Sequence, residues 1–366
     1  MKTKSEAQRV PTVVIGGGQA GLAVGYHLAR RGHRFVILDA NQRVGDAWRN
    51  RWDSLRLFTP ARYAALPGLR FPASGASFPS KEQMADYLES YAKCFGLPVR
   101  TGLRVDRLSR LGDGFLVVAG NQRFEAENVV VAMANYQKPR VPALASALHP
   151  GITQIHASEY RNPDQLQEGD VLIVGAGNSG ADIAIEVAKT RRTLLSGKES
   201  GYVPFPIHTL LWRHLLVRLV RFVGHHVLTL GTPIGRRLRP KMLHRASPLV
   251  RVKPRDLLAA GVERVPRVAG ARDGRPVLED GRVLGVKNIV WCTGYHPGFG
   301  WIDLPVLGED GEPIHDRGVS RVPGMFFVGL HYLYSMTSAT IIGVARDAER
   351  IVKDIVRRSE RGAEAA

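Results

Sequence analysis

The stretch TVVIGGGQAGLA, Thr12 to Ala23, decides the fold. Its apolar run reads as a buried parallel strand, and three glycines follow at the spacing of a phosphate cradle. Gly16 permits the tight turn out of the strand, Gly18 lets backbone approach a pyrophosphate, and Gly21 lets helix and strand pack closely. Amides at the helix start, around Gln19 and Ala20, then face the anion. The same pattern returns as VLIVGAGNSGADIA, Val171 to Ala184, with Gly175, Gly177 and Gly180 in the glycine positions and Asn178 and Ser179 inside the turn. A single motif of this kind also arises for purely structural reasons. Two in matching context predict an α/β fold with two Rossmann-like dinucleotide-binding domains.

The two copies differ where the next strand ends. After the first, Phe35 to Asp39 reads as a strand closed by an acid, at the interval where a carboxylate takes the hydroxyls of an adenosine ribose. After the second, Thr193 to Ser196 is the strand. The same count lands on Lys198, with Arg191 and Arg192 nearby in sequence. Cations there suit a 2′-phosphate, so FAD is expected in the first site and NADPH in the second. For Asn178 and Ser179 two roles stand side by side, helix capping and contact with the nicotinamide nucleotide.

Between the copies, Ser80 to Gln83 forms a capping box, and Met84, Tyr87, Leu88 and Tyr91 continue at helical spacing to Gly96. Arg104 to Val131 reads as a small antiparallel meander over the first unit, giving a three-layer arrangement. A proline-rich linker carries Pro139, Pro142 and Pro150. The expected organisation is a discontinuous FAD-binding domain, 1–140 and 286–366, around an NADP(H)-binding domain, 141–285, with a helical insertion at about 201–251. Within that insertion Ile207 to Leu230 is apolar around most of a helix yet holds Arg213, Arg218 and Arg221. A substrate lid or an oligomer contact, as in a homodimer, is one reading, and an interfacial helix on anionic lipid another.

Composition narrows the field. The chain has 366 residues, 44% of them apolar, which excludes a disordered protein. Its net charge of +18 is spread over scattered doublets and one denser stretch, Arg236 to Lys241, without a helix-turn-helix, zinc or RNA-binding signature, so no nucleic-acid partner is expected. Met1 to Arg9 is short and polar, and no uncharged run reaches membrane-spanning length, so a cytoplasmic location is expected. Cys94 and Cys292 lie in no CxxC motif, which argues against a redox dithiol, and both read as small buried hydrophobes. Adjacent His225 and His226 make a poor chelating pair, and no metal is expected.

Beyond the two cradles, VGDAWRNRWDSLRLFTPARYAALPG (Val44 to Gly68), FPSKEQMADYLESYA, VWCTGYHP (Val290 to Pro297), MFFVGL (Met325 to Leu330) and SATIIGVARDAERI (Ser338 to Ile351) are similar to segments of the class B flavin-dependent monooxygenases. That group contains the flavin-containing monooxygenases and the plant YUCCA enzymes, and the chain most resembles the bacterial CzcO-like flavoproteins. The resemblance implies flavin contacts at Trp48, Thr59 and Gly329 and nicotinamide-nucleotide contacts at Thr293 and Gly294. Trp48 has an alternative role in core packing. The resemblance also implies the activity: NADPH reduces FAD, and one atom of dioxygen reaches a small organic substrate through a peroxyflavin. The alternatives are a flavin reductase or oxidase without oxygenation, and a redox-sensing flavoprotein linked to ion transport.

Two departures from the family pattern stand out. HPGITQIHASEYR keeps His156 and Tyr160 at the family interval, but no phenylalanine precedes Gly151 and the glycine is one residue too far from His156. The first hinge reads Ala132-Met133-Ala134 where the family has ATG. His156 is either a hydrogen-bonding support for the linker or, with Asn178, a weak candidate for direct chemistry.

Overall fold

The computed structural model describes residues 6–205, 207, 209, 212–243 and 247–364. Two mainly parallel sheets organise it. The first runs in the order His315–Asp316, Val319–Ser320, Met325–Phe327, Asn128–Val131, Thr12–Ile15, Phe35–Leu38, Val99–Arg100. The second runs Thr153–His156, Asn288–Trp291, Val171–Val174, Thr193–Ser196, Glu263–Val265, with every pair parallel. This is a mixed α/β fold, and each glycine motif leaves a central strand of its own sheet.

Period-2 geometry explains why the central strands Thr12–Ile15, Asn128–Val131, Thr193–Ser196 and Asn288–Trp291 are buried at every position, since each covers two cores. In the first sheet Val14, Ile37 and Val130 face the helices, Gln19–Ala29 and Val344–Glu364 among them. Their neighbours Val13, Ile15, Val36, Leu38, Val129 and Val131 face Phe115, Val117 and Phe124 of a small sheet on the other side. In the second sheet Val171, Ile173, Leu195 and Val290 pack on one side, and Leu172, Leu194, Ile289 and Trp291 on the other.

Three points differ from the sequence reading. The meander consists of Arg107–Leu111, Gly114–Ala119 and Gln122–Ala126 and stops there. Asn128–Val131 is buried at all four positions and pairs in parallel with Thr12–Ile15, so it is a core strand of the first sheet. Asn288–Trp291 sits inside the second sheet, so a border at 285/286 would cut that sheet, and the chain leaves it only after Trp291. Cys94, the last residue of Lys81–Cys94, is exposed and not a buried hydrophobe, because the apolar stripe is no longer covered at the end of that helix. The capping box at Ser80 and Gln83 is present with both of its bonds.

The chain crosses between the sheets twice, and the two crossings pair with each other: Lys138–Pro139 is antiparallel to Tyr295–His296. A two-stranded ribbon therefore joins the units. The insertion leaves the second unit and lies on the first. Wide helical turns at Trp212–Leu216 and Val223–Val227 flank the α-helical Val217–Phe222, and Pro233–Leu243 follows. Ile207, Trp212 and Val217 pack against Tyr63 and Phe78, and Leu230 and Met336 exchange backbone bonds with Tyr334 and Leu228. Positions 208, 210 and 211, and the side chain of Arg213, lie outside the described residues. No helix among the described residues is long and apolar enough to cross a membrane.

Candidate cofactor sites and the ribbon between them

The two cradles have one geometry. Gly16 and Gly175 hold φ of +109° and +114°, and a Cβ on Gly21 or on Gly180 would lie 1.8 Å from the carbonyl oxygen of Gly16 or Gly175 respectively. Around Gly18 and Gly177, by contrast, a Cβ would meet nothing within 4 Å, so these stretches of backbone are open to a ligand. Helices Gln19–Ala29 and Asn178–Val187 start at those points, so each turn presents unpartnered amides and the positive end of a helix. The residues present fit a pyrophosphate in both places.

At the first site Gly329, Trp48 and Asp39 meet the cradle. A Cβ on Gly329, itself at φ +83°, would come within 2.9 Å of the Ala20 side chain, which brings the closing strand end to the start of the first helix. Trp48 donates its indole N–H to Gln19 Oε1 at 3.2 Å while its ring packs on the core. Thr59 is buried. Buried Asp39 accepts from the Gly17 amide at 2.5 Å and from the Asn41 amide at 2.7 Å.

Register identifies the counterpart of Asp39 in the second unit. Leu38 pairs with Ile15 and Ser196 pairs with Val174, so the residue after each strand, Asp39 or Gly197, occupies the same place. Counting along the chain gave Lys198, one residue on. Gly197 has φ +143°, and a Cβ on it would lie 2.8 Å from the Ala176 amide nitrogen, so no carboxylate side chain fits there. Lys198 is exposed beside it, and Arg264 donates from Nη2 to the Gly197 carbonyl at 2.9 Å.

Arg191 and Arg192 are not brought to this strand end. They precede the strand instead of following it, which puts them about 16–20 Å from Gly197 at about 3.3 Å per residue. Arg191 donates to the carbonyls of Leu166 and Gln167, and Arg192 pairs with Asp170 and Glu263. Arg264 reaches this strand end from a later strand, and only the pairing of Glu263–Val265 with Thr193–Ser196 places it there. Asn178 is also otherwise engaged, since its side-chain amide donates to Pro248 O at 3.0 Å and accepts from the Val250 amide at 2.9 Å. It fastens the returning insertion to the cradle instead of capping its own helix.

Where the units meet, a polar aromatic cluster surrounds the ribbon. Arg51 donates to the Tyr295 hydroxyl at 2.9 Å, and Tyr136 and His331 are linked at 3.0 Å. The rings of Tyr136 and Tyr295 stand edge to face at 5.5 Å, as do those of His156 and Tyr295 at 5.2 Å. None of Arg51, Tyr136, Tyr295 and His331 was singled out in the sequence. A usable signal was that a tyrosine follows each hinge, in MANYQKP and CTGYHP. Thr293 donates its hydroxyl to Arg140 O and Gly294 accepts from His156, so both are committed to the ribbon.

Buried His156 has its tautomer fixed by its partners. Nε2 faces the Gly294 carbonyl at 3.1 Å and must donate, while Nδ1 accepts from the Ser158 amide at 3.1 Å. Burial lowers its pKa, so it stays a neutral support for the ribbon. Lys81 provides a second support. Its buried ammonium donates to Arg49 O, Arg51 O and Asp53, and Asp53 accepts from Asn162 at 2.8 Å. The Lys81 bond holds the Asp53 carboxyl below its usual range, and the segment carrying Trp48 and Arg51 is thereby tied to the linker of the second unit.

The altered first hinge has a backbone consequence. Ala134 sits at φ +58°, a left-handed conformation that costs a Cβ-bearing residue about 1–2 kcal/mol, whereas the other hinge uses Gly294 at φ +80°. Ala134→Gly is expected to stabilise the protein by about 0.5–1 kcal/mol, read as a higher urea midpoint at unchanged slope. A lower midpoint would show that the side chain contributes more than the strain removes.

Comparison with known proteins agrees with this geometry. Residues 13–199 match the pyridine nucleotide-disulphide oxidoreductase family. An uncharacterized CzcO-like oxidoreductase of Geobacillus kaustophilus is 38% identical over 95% of this chain and 98% of its own length. Indole-3-pyruvate monooxygenase YUCCA1 of Oryza sativa is 29% identical over 94% of this chain and 90% of its own. Among solved structures, a flavin-containing monooxygenase from Stenotrophomonas maltophilia superposes with a TM-score of 0.77 at 29% identity, covering 96% of this chain and 99% of that one. The disulphide chemistry in the family's description has no dithiol here: both cysteines are free, and burial pushes the Cys292 thiol up to about 12. The chain belongs to the pyridine nucleotide-disulphide oxidoreductase family and is a flavin-dependent oxidoreductase.

Proposed function

We propose that the protein is an NADPH-dependent monooxygenase that holds FAD in the first cradle and NADPH in the second and transfers one oxygen atom of dioxygen to a small organic substrate. The observation that carries this reading is a pair of superposable phosphate cradles with chemically opposite strand ends, Asp39 in one and Gly197 with Lys198 and Arg264 in the other. A carboxylate favours a ribose diol and repels a 2′-phosphate, while a cationic end does the reverse. Bound in these sites, the two cofactors would supply hydride transfer and the activation of dioxygen.

The chain's own residues bind, orient and exclude. The amides at Gly16 to Gly21 and Gly175 to Gly180 take the pyrophosphates. Trp48, fixed to Gln19, lines the first site. The ribbon, held by His156 and the Arg51–Tyr295 bond, sets the distance between the two units. The insertion lies over the first unit through Tyr63, Phe78 and Tyr334 and serves as the lid that keeps water out during turnover.

The test is stoichiometry. NADPH consumption, oxygen uptake and hydrogen peroxide are measured together across a panel of thioethers, amines, ketones and 2-oxo acids. For at least one substrate, product should match NADPH one to one with little peroxide. Peroxide equal to NADPH with every compound would make the protein an oxidase.

A further inference from the structure

The insertion presents its apolar residues to solvent. Along the run 212–227 Leu215, Leu219 and Phe222 are 60%, 56% and 58% exposed, while Trp212 and Val217 of the same run are buried against the first unit. The next helix, Pro233–Leu243, adds Ile234 at 56% exposure, together with exposed Arg236, Arg237 and Lys241. Soluble surfaces scatter such residues singly, whereas a row of them marks a docking surface.

The charge of the same segment identifies what docks. Positions 201–251 contain nine arginines and lysines and no aspartate or glutamate, which is half of the chain's net charge of +18. A second copy of this chain would set like charge against like charge across a twofold axis. Nucleic acid would satisfy the cations but leave the leucine and phenylalanine row in water. An anionic bilayer satisfies both, because headgroup phosphates meet the arginines and the acyl boundary takes the apolar side chains. We propose that the insertion is a peripheral membrane-docking surface, with Leu215, Leu219, Phe222 and Ile234 entering the interface and Arg236, Arg237 and Lys241 pairing with anionic headgroups.

The experiment is co-sedimentation of the full-length holoprotein with vesicles of 3:7 phosphatidylglycerol to phosphatidylcholine and with pure phosphatidylcholine, at low and physiological salt, with and without excess duplex DNA. Binding to the anionic vesicles, weaker at higher salt and absent on phosphatidylcholine, is expected. Leu219→Glu/Phe222→Glu and Arg236→Ala/Arg237→Ala should each weaken it at least tenfold while keeping the wild-type flavin absorbance and thermal midpoint. These positions are exposed, so the variants should fold. No sedimentation at low salt would overturn the proposal. So would full binding by the glutamate variant, or complete displacement by DNA, either of which would mark the segment as a general polyanion site.

Discussion

Gly180→Ala is expected to give a protein that stays yellow but is no longer reduced by NADPH, while Gly21→Ala gives one that loses its flavin. In both, the new Cβ would sit 1.8 Å from a backbone carbonyl oxygen, that of Gly175 or of Gly16. No side chain can move aside to relieve that contact, so strand and helix must separate. The amides that face the ligand shift with the helix, and a loss of about 3 kcal/mol corresponds to more than a hundredfold in affinity. Because the two glycines have matched surroundings, each variant controls for general damage in the other. The flavin-to-protein absorbance ratio after gel filtration reads the first site, and the rate of anaerobic bleaching by NADPH reads the second. A colourless Gly180→Ala protein together with a yellow Gly21→Ala protein would mean that the cofactors occupy the opposite cradles. Normal bleaching in both would remove the cradles from the mechanism.

Much of the fold was legible because its strands are buried on both faces and therefore apolar in unbroken runs, as in Val13 to Ile15 and Val171 to Val174. The glycine turns after them are local and survive any change of context. What could not be read were relations made by pairing. Asn128–Val131 looks like one more strand of the meander, and only its four parallel partners show that it belongs beside Thr12–Ile15. Asn288–Trp291 has the same character: its place in the second sheet is decided by Thr153–His156 and Val171–Val174, which are distant in sequence.

The site followed the same rule. Gly16, Asp39 and Gly329 could be singled out because each lies beside its own motif, and the fold brings all three to the first cradle. Lys81 was read as part of a capping box, and nothing in its neighbourhood announces that its ammonium turns inward to bind Arg49 O, Arg51 O and Asp53. Arg191 and Arg192 drew attention by nearness in sequence to Lys198. A four-residue strand is enough to carry that nearness to the wrong end of a sheet.

Coenzyme choice turns on that distinction. The Asp39 position of the second unit is held by Gly197, with Lys198 next in the chain and Arg264 hydrogen-bonded to the Gly197 carbonyl. A 2′-phosphate placed there gains charge-assisted bonds of about 1.5–3 kcal/mol each, or about ten- to a hundredfold in affinity, and meets no carboxylate at the Asp39-equivalent position, which is Gly197. Wild-type protein should therefore prefer NADPH to NADH. Lys198→Ala and Arg264→Ala should each raise the NADPH half-saturation of flavin reduction at least tenfold and leave that of NADH nearly unchanged. Arg191→Ala and Arg192→Ala, whose guanidinium groups serve Leu166, Gln167, Asp170 and Glu263, should keep the wild-type NADPH-to-NADH ratio. If the effect appeared in those two variants and not at Lys198 or Arg264, the 2′-phosphate would lie at the other end of the strand. Equal use of NADH by the wild type would mean that the cationic strand end does not select the coenzyme at all.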